Sequence, residues 1–175
     1  MGTVSRTQDI RAPEKLSPGH DLSDFNSGML VLDDWLLRRA LSNEDRGISR
    51  TYVICVGERV VGYYALAGGA VTSIEATGRT RRNIPDPVPV MVLVRLAIDS
   101  RHQGCGIGRA LLRDAILRTM RAADIAGIRA IVVHALSEGA KWFYERCGFQ
   151  PSPIDPMTLM ITLGGSEKEN SGTEN

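Results

Sequence analysis

Three glycines alternate in Gly104-Cys105-Gly106-Ile107-Gly108, between a strand-like apolar run over 88–98 and a helical pattern that starts at about residue 108. Glycine at these positions lets the backbone turn sharply and leaves its N–H groups uncovered by side chains. The first turn of the following helix adds unpaired N–H donors and the positive end of the helix dipole. A phosphate or pyrophosphate is the ligand that suits such a loop. Spacing then removes two common ligands. The dinucleotide fingerprint needs glycine or alanine three residues past its second glycine, where this chain has Arg109 or Leu111. The P-loop needs Gly-Lys-Ser/Thr, and no lysine follows any of these glycines. A glycine-rich turn without a ligand stays open as the alternative.

Other side chains could carry a reaction. Ala140, Phe143, Tyr144 and Cys147 fall at i, i+3, i+4 and i+7, which places Tyr144 on the core face of a helix. A buried tyrosine hydroxyl needs a partner, and a core role is the simpler reading of the spacing. His134 and Glu138 are the general-base candidates, and a strand histidine is more often a hydrogen-bonded structural residue. Arginines form two groups: Arg79, Arg81 and Arg82, next to Asn83, and Arg38, Arg39, Arg46 and Arg50. Charge runs of this kind are commonly solvated faces. Arg95 differs, because a charge amid Val92, Leu93, Val94 and Leu96 must reach a cleft or a partner.

Those residues are positioned by alternating elements. Residues 21–47 read as helix, broken at Asn26-Ser27-Gly28, with an apolar stripe of Leu30, Val31, Trp35, Leu36, Leu37 and Leu41. Strands over 51–56 and 60–67 flank the turn Gly57-Glu58-Arg59 as a hairpin; Gly68-Gly69 marks a bulge, after which the second strand extends to about residue 74. A basic, then proline-rich loop covers 78–89. A central strand over 90–98 leads through the glycine loop into a helix over 108–126, ended by Gly127. A strand over 128–135, a helix over 137–147 capped by Ser137 and Gly148, and a strand over 157–163 complete an α/β sandwich with a mixed sheet.

Composition bounds the class. The 175 residues suit one domain, over 1–165, with its own core. No run approaches the roughly 18 apolar residues of a membrane span, and the polar N-terminus has no signal-like apolar region. Cys55, Cys105 and Cys147 are odd in number and far apart, without a C-x-x-C or Cys/His cluster, so neither a disulfide framework nor a metal site is expected. The expected compartment is cytoplasmic. The net charge of +1 includes a tail, residues 166–175, with three glutamates, one lysine and no apolar residue, which predicts disorder. The remaining part is more basic, with arginine far exceeding lysine, and arginine's planar fork suits phosphate.

The loop Gln103-x-x-Gly106-x-Gly108, the order of elements and Phe143-Tyr144-Glu145-Arg146-Cys147-Gly148-Phe149 together resemble the GNAT N-acetyltransferases over residues 10–163. The resemblance implies a mixed, mostly antiparallel sheet that splays at an acetyl-CoA site and is flanked by helices. It implies that Leu96, Ala97 and Ile98 pair with the pantetheine arm, and that Gln103, Gly104, Cys105, Gly106, Ile107, Gly108 and Arg109 hold the pyrophosphate. Tyr144 takes the place of the family's acid, which protonates the leaving thiolate. Phe25-Asn26-Ser27-Gly28, Leu32-Asp33-Asp34-Trp35-Leu36, Val61 to Leu66, Arg81-Arg82-Asn83-Ile84-Pro85 and Leu96-Ala97-Ile98-Asp99 narrow the likeness to the GNAT toxins of bacterial type II toxin–antitoxin modules.

That narrower resemblance implies acetylation of the α-amine of aminoacyl-tRNA, a block of translation, a homodimer, and neutralisation by a ribbon-helix-helix antitoxin. Operator DNA would be met only through the antitoxin complex. Arg79, Arg81, Arg82, Asn83 and Arg95 are the residues expected to face tRNA or the acceptor. The weak showing of a base agrees with such an acceptor, because an α-amine has a pKa of about 7.7–8.0 against about 10.4 for a lysine side chain. Two other readings remain: a GNAT enzyme acting on a small amine, a peptide or a protein N-terminus, and a non-catalytic GNAT fold that binds protein. The intact glycine loop and Tyr144 weigh against the last.

Overall fold

β-branched and aromatic residues at 50–56 and 59–71 make a long hairpin whose second strand is buried on both faces, so helices must cover it twice. The computed structural model describes residues 9–84 and 86–164; the tail predicted to be disordered lies outside them. The elements are β1 (Glu14–Lys15), α1 (Leu30–Arg38), α2 (Ala40–Asp45), β2 (Arg50–Val56), β3 (Arg59–Val71), α3 (Gly78–Arg81), β4 (Val88–Ile98), α4 (Ile107–Ala126), β5 (Ala130–His134), α5 (Glu138–Arg146), β6 (Gln150–Pro151) and β7 (Thr158–Thr162). They form a sheet of order β1-β2-β3-β4-β5-β7-β6. Only β4 and β5 run parallel; the other pairs are antiparallel.

Each face of β3 has its own core. Tyr64, Val61 and Leu66 pack with Leu111, Leu112 and Tyr144 beneath α4 and α5. Tyr63 points the other way, stacks on Trp35 at 5.9 Å and donates its hydroxyl to the Leu32 carbonyl at 2.6 Å, which fastens α1 to the sheet. Close approach of α4 depends on Gly62, since a Cβ there would lie 3.0 Å from Leu111 and 2.9 Å from Ile54.

One pairing feature creates the site. β4 stays bonded to β3 as far as Ile98, but pairs with β5 only from Val90 to Leu93. A register shift sets Leu66 against Leu93 and Ala65 against Arg95, leaving Val94 as an extra residue on β4. A bulge bends and twists its strand. Beyond it, residues 94–98 diverge from β5 and leave a V open on that side.

Several expectations need correction. Residues 21–29 are irregular and not helical, with a turn at 23–24 and Asp21 bridged to Arg59. The Asp21 carboxylate accepts from the Ser23 N–H, the Asn26 side chain accepts from the Gly28 N–H, and Gly28 adopts φ 89°, so side chains satisfy the local backbone in place of a helical ladder. The buried stripe of α1 and α2 is Leu32, Leu36 and Ala40, while Leu30, Val31 and Leu37 are exposed. The bulge of β3 and β4 is not at Gly68-Gly69. Gly69 instead lets Val92 approach to where a Cβ would lie 2.8 Å away. The loop over 78–89 contains the short α3, and β1 and β6 are too short to leave a periodic signal. Glu14, His20 and Cys55 do meet within 4.8 Å, because β1 pairs with β2. His20 and Glu14 bond to each other at 2.9 Å and Arg11 pairs with Glu14, so this group is already satisfied internally.

Candidate active site

The glycine loop turns sharply, as its composition predicts. Gly104 (φ 78°) and Gly106 (φ 87°) occupy left-handed backbone that other residues rarely adopt. Gly106 caps the 20-residue α4, whose ladder begins with the Ala110 N–H on the Gly106 carbonyl. The N–H groups of Ile107, Gly108 and Arg109 therefore precede the ladder at the positive end of the helix. Ile107 turns its side chain into the core, and Gly108 lies beside the Phe143 ring. Arg109 is exposed in the first turn. Cys105 is exposed too, its thiol donating to the His102 carbonyl at 2.8 Å.

Gln103 lines the groove beside this loop and also braces it. Its amide donates to the Ser27 and Ile98 carbonyls, both at 2.9 Å, and so ties the end of β4 to the segment before α1. Asp99, absent from the expected site residues, is the hub of this clamp. Fully buried, it accepts from the Asn26 N–H at 3.1 Å, from the Arg101 N–H at 3.0 Å and from the Arg101 guanidinium at 2.9 and 3.1 Å. The Arg101 hydrogen bonds foremost, and the two backbone N–H groups, hold its carboxyl well below the usual range. Asp99→Ala should cost about 2 kcal/mol through the loss of charge-assisted bonds, read by denaturant unfolding. With the folded pKa depressed, that stability is present above about pH 4, the ordinary aspartate range, and is lost on further acidification. An acid profile identical in wild type and variant would contradict the assignment.

Two hollows meet at the V. A groove of about 470 Å³ runs along Leu96, Ala97 and Ile98 to Gln103 and Gly108, with Phe143 and Tyr144 as its far wall. A smaller cavity of about 100 Å³ lies between Arg95 and Leu96 on one side and Val133 and His134 on the other, again closed by Tyr144. Tyr144 thus borders both. Its ring is 6% exposed and wedged between Phe143 and Phe149. Burial, and then the nearby Cys147, push its pKa far above the ordinary tyrosine value of 10.0, so it stays a proton donor. No described residue hydrogen-bonds its hydroxyl. The residue borders both hollows, so the hydroxyl is available to a ligand atom there.

Arg95 borders the small cavity. Its guanidinium lies 5.5 Å from the Trp35 ring, one nitrogen donates to the Val94 carbonyl at 2.7 Å, and its buried Nε has no protein partner among the described residues. Arg79, Arg81, Arg82 and Asn83 are exposed but line neither hollow. They precede β4, so the roughly seven strand residues from Val88 to Arg95 put them about 20 Å from the cavity. Thr80 anchors that loop by bonding Thr162 at 2.9 Å, and the Arg129 side chain donates to the Arg79 carbonyl at 3.0 Å.

A nucleotide-type phosphate loop, an open strand edge and an unpartnered acid converge on one cleft. The family model for the acetyltransferase (GNAT) domain matches residues 47–151. The chain belongs to the GNAT acetyltransferase family. This GNAT protein is 52% identical to a tRNA-acetylating toxin of Mycobacterium tuberculosis (strain ATCC 25618 / H37Rv), over 87% of this chain and 92% of that one. AtaT complexed with acetyl-methionyl-tRNAfMet superposes with TM-score 0.82 at 29% identity, covering 88% of this chain and 95% of the other. A tyrosine-to-phenylalanine mutant of AtaT bound to the C-terminus of the antitoxin AtaR and acetyl-CoA gives TM-score 0.75 at 29% identity, over 88% and 93%.

The GNAT cleft fits an acetyl-CoA donor residue by residue. The N–H groups at 107–109, ahead of the helical ladder, suit a pyrophosphate. The β4 edge at 96–98, unpaired by β5, suits the amides of a pantetheine arm added like a strand. The Tyr144 hydroxyl stands free where the groove meets the cavity. The bland reading of Tyr144 as core alone leaves that hydroxyl unexplained.

Proposed function

We propose that this GNAT acetyltransferase transfers acetyl from acetyl-CoA to the α-amine of aminoacyl-tRNA, blocks translation, and is neutralised by a cognate ribbon-helix-helix antitoxin. Operator DNA is then met only by the toxin–antitoxin complex. The observation that carries the reading is Tyr144 at the junction of two hollows, within a chain 52% identical to a tRNA-acetylating toxin. The groove takes the donor, and the cavity on the Arg95 side takes the acceptor amine. Tyr144, kept protonated by burial, supplies the proton to the departing sulfur. The carbon–nitrogen bond forms as the carbon–sulfur bond breaks, and the lost amine proton leaves on the acceptor side. Among the described residues no helix is long and apolar enough to cross a membrane; an aminoacyl-tRNA acceptor supports a cytoplasmic location.

The exposed arginines of the loop over 79–82 reach the body of the tRNA, at a distance from the cleft that only a large acceptor spans. Replacing Arg81 and Arg82 by alanine should raise KM for charged tRNA about tenfold at low salt and leave KM for acetyl-CoA unchanged. The slope of log affinity against log salt should fall by about 0.7–0.9 for each phosphate that is no longer neutralised. Equal changes in both KM values, or an unchanged salt slope, would remove this surface from tRNA binding.

A further inference from the structure

His134 is the last residue of β5, at the mouth of the V, and it borders the small cavity opposite Arg95 with Tyr144 as the third wall. Strand alternation puts its side chain on the face of Val132 and Ala130, whereas Val133 and Ile131 pack toward Tyr144. The acceptor side and the acid side of the cleft are thus lined from opposite faces of the sheet. Glu138, the other base considered from sequence, borders neither hollow.

A chain of hydrogen bonds fixes the state of the ring. His134 Nδ1 lies 2.9 Å from Thr158 Oγ1, which donates its proton to Asp155 Oδ2 at 2.8 Å. The Thr158 hydroxyl and the Met157 N–H hold the Asp155 carboxyl below its ordinary range, so it is an ionised, acceptor-only group. Thr158 has one proton and gives it to Asp155. It can only accept from His134, so neutral His134 carries its proton on Nδ1 and keeps the Nε2 lone pair free. The charged groups around the ring are Asp155, acting through Thr158 on β7, and Arg95 from β4; Tyr144 faces the same cavity from α5.

We infer that His134 Nε2 is the general base that takes the proton from the acceptor ammonium, with Thr158 and Asp155 as positioning residues. The inference rests on the α-amine acceptor proposed above. One ammonium proton passes to Nε2 and on to solvent, which the exposed ring can reach. The freed nitrogen lone pair forms the bond to the acetyl carbon as the carbon–sulfur bond breaks, and the sulfur takes the Tyr144 proton. The second proton shed on amide formation leaves by the same route, and solvent reprotonates Tyr144. Protons balance without a further reactant.

The test compares kcat/KM for wild type, His134→Gln and Thr158→Val at pH 6.5 and pH 9, with charged tRNA and, in parallel, with an amino acid amide. At the lower pH the acceptor is largely ammonium, and removing the base should cost His134→Gln about 100-fold. At pH 9 the amine is already neutral, and the deficit should shrink below about tenfold. Thr158→Val should show the same pH signature at smaller amplitude, and Thr158→Ser should restore the rate. A loss equal at both pH values marks His134 as merely structural, and no loss at either removes it from the reaction; both overturn the inference. If wild type acetylates the amide but no charged tRNA, the proposed substrate fails while the amide arm still decides His134.

Discussion

Tyr144→Phe is expected to lower kcat by at least about 100-fold while leaving acetyl-CoA affinity and thermal stability close to wild type. Removal of a hydroxyl with no partner among the described residues breaks none of their hydrogen bonds, and the phenylalanine ring fills the same space between Phe143 and Phe149. What disappears is a proton donor at the point where the groove meets the acceptor cavity. The split between kcat and binding is therefore the diagnostic, read by steady-state kinetics beside calorimetric titration of acetyl-CoA. In the wild type, the raised pKa of Tyr144 further predicts no alkaline fall in rate from this group up to pH 9. A variant with unchanged kcat, or with parallel losses in binding and folding, would return Tyr144 to a purely structural role.

Gly106→Val should weaken acetyl-CoA binding about 10- to 30-fold. A residue with a β-branched side chain at φ 87° carries about 1–2 kcal/mol or more of backbone strain, and relief of that strain unmakes the loop that presents the N–H groups. A Cβ at Gly106 would meet no atom within 4 Å, so the effect comes from backbone conformation and from cover over the donors, and not from a clash in the core. Gly108→Ala is the control. Gly108 is helical, its added Cβ would rest 3.6 Å from Phe143 in ordinary contact, and its affinity should change less than threefold. Equal loss in both variants would mean that the loop acts through packing alone.

Local chemistry was the readable part of the site. Alternating glycines followed by a helical pattern announce uncovered N–H groups, and an i, i+3, i+4, i+7 series places Tyr144 on a core face, because both facts are decided within a few residues. Asp99 was within reach of the same reading, as a carboxylate at the end of a buried strand next to Arg101, but its partner Asn26 is 73 residues away. Gln103 matched a family pattern and proved to hold backbone carbonyls, since sequence spacing gives a residue's location and not the direction of its amide. The distance between Arg81 and the cleft follows from the full length of β4, which adjacency in sequence conceals. Likewise the Asp155–Thr158–His134 chain exists only because β5 and β7 pair in a register that sets His134 against Thr158. At 21–29 helical composition misled, as side chains that can bond their own backbone took it out of the ladder.

The central claim is that the amine entering beside Arg95 belongs to an aminoacyl-tRNA. Incubation of the full chain with labelled acetyl-CoA and a set of separately charged tRNAs, followed by nuclease release of the terminal aminoacyl-adenosine, tests it directly. N-acetyl-aminoacyl-adenosine should appear with wild type, should fall at least about 100-fold with Tyr144→Phe, and should be absent when the tRNA is uncharged. Label transferred to a free amine or a peptide N-terminus, with none on any charged tRNA, would contradict it.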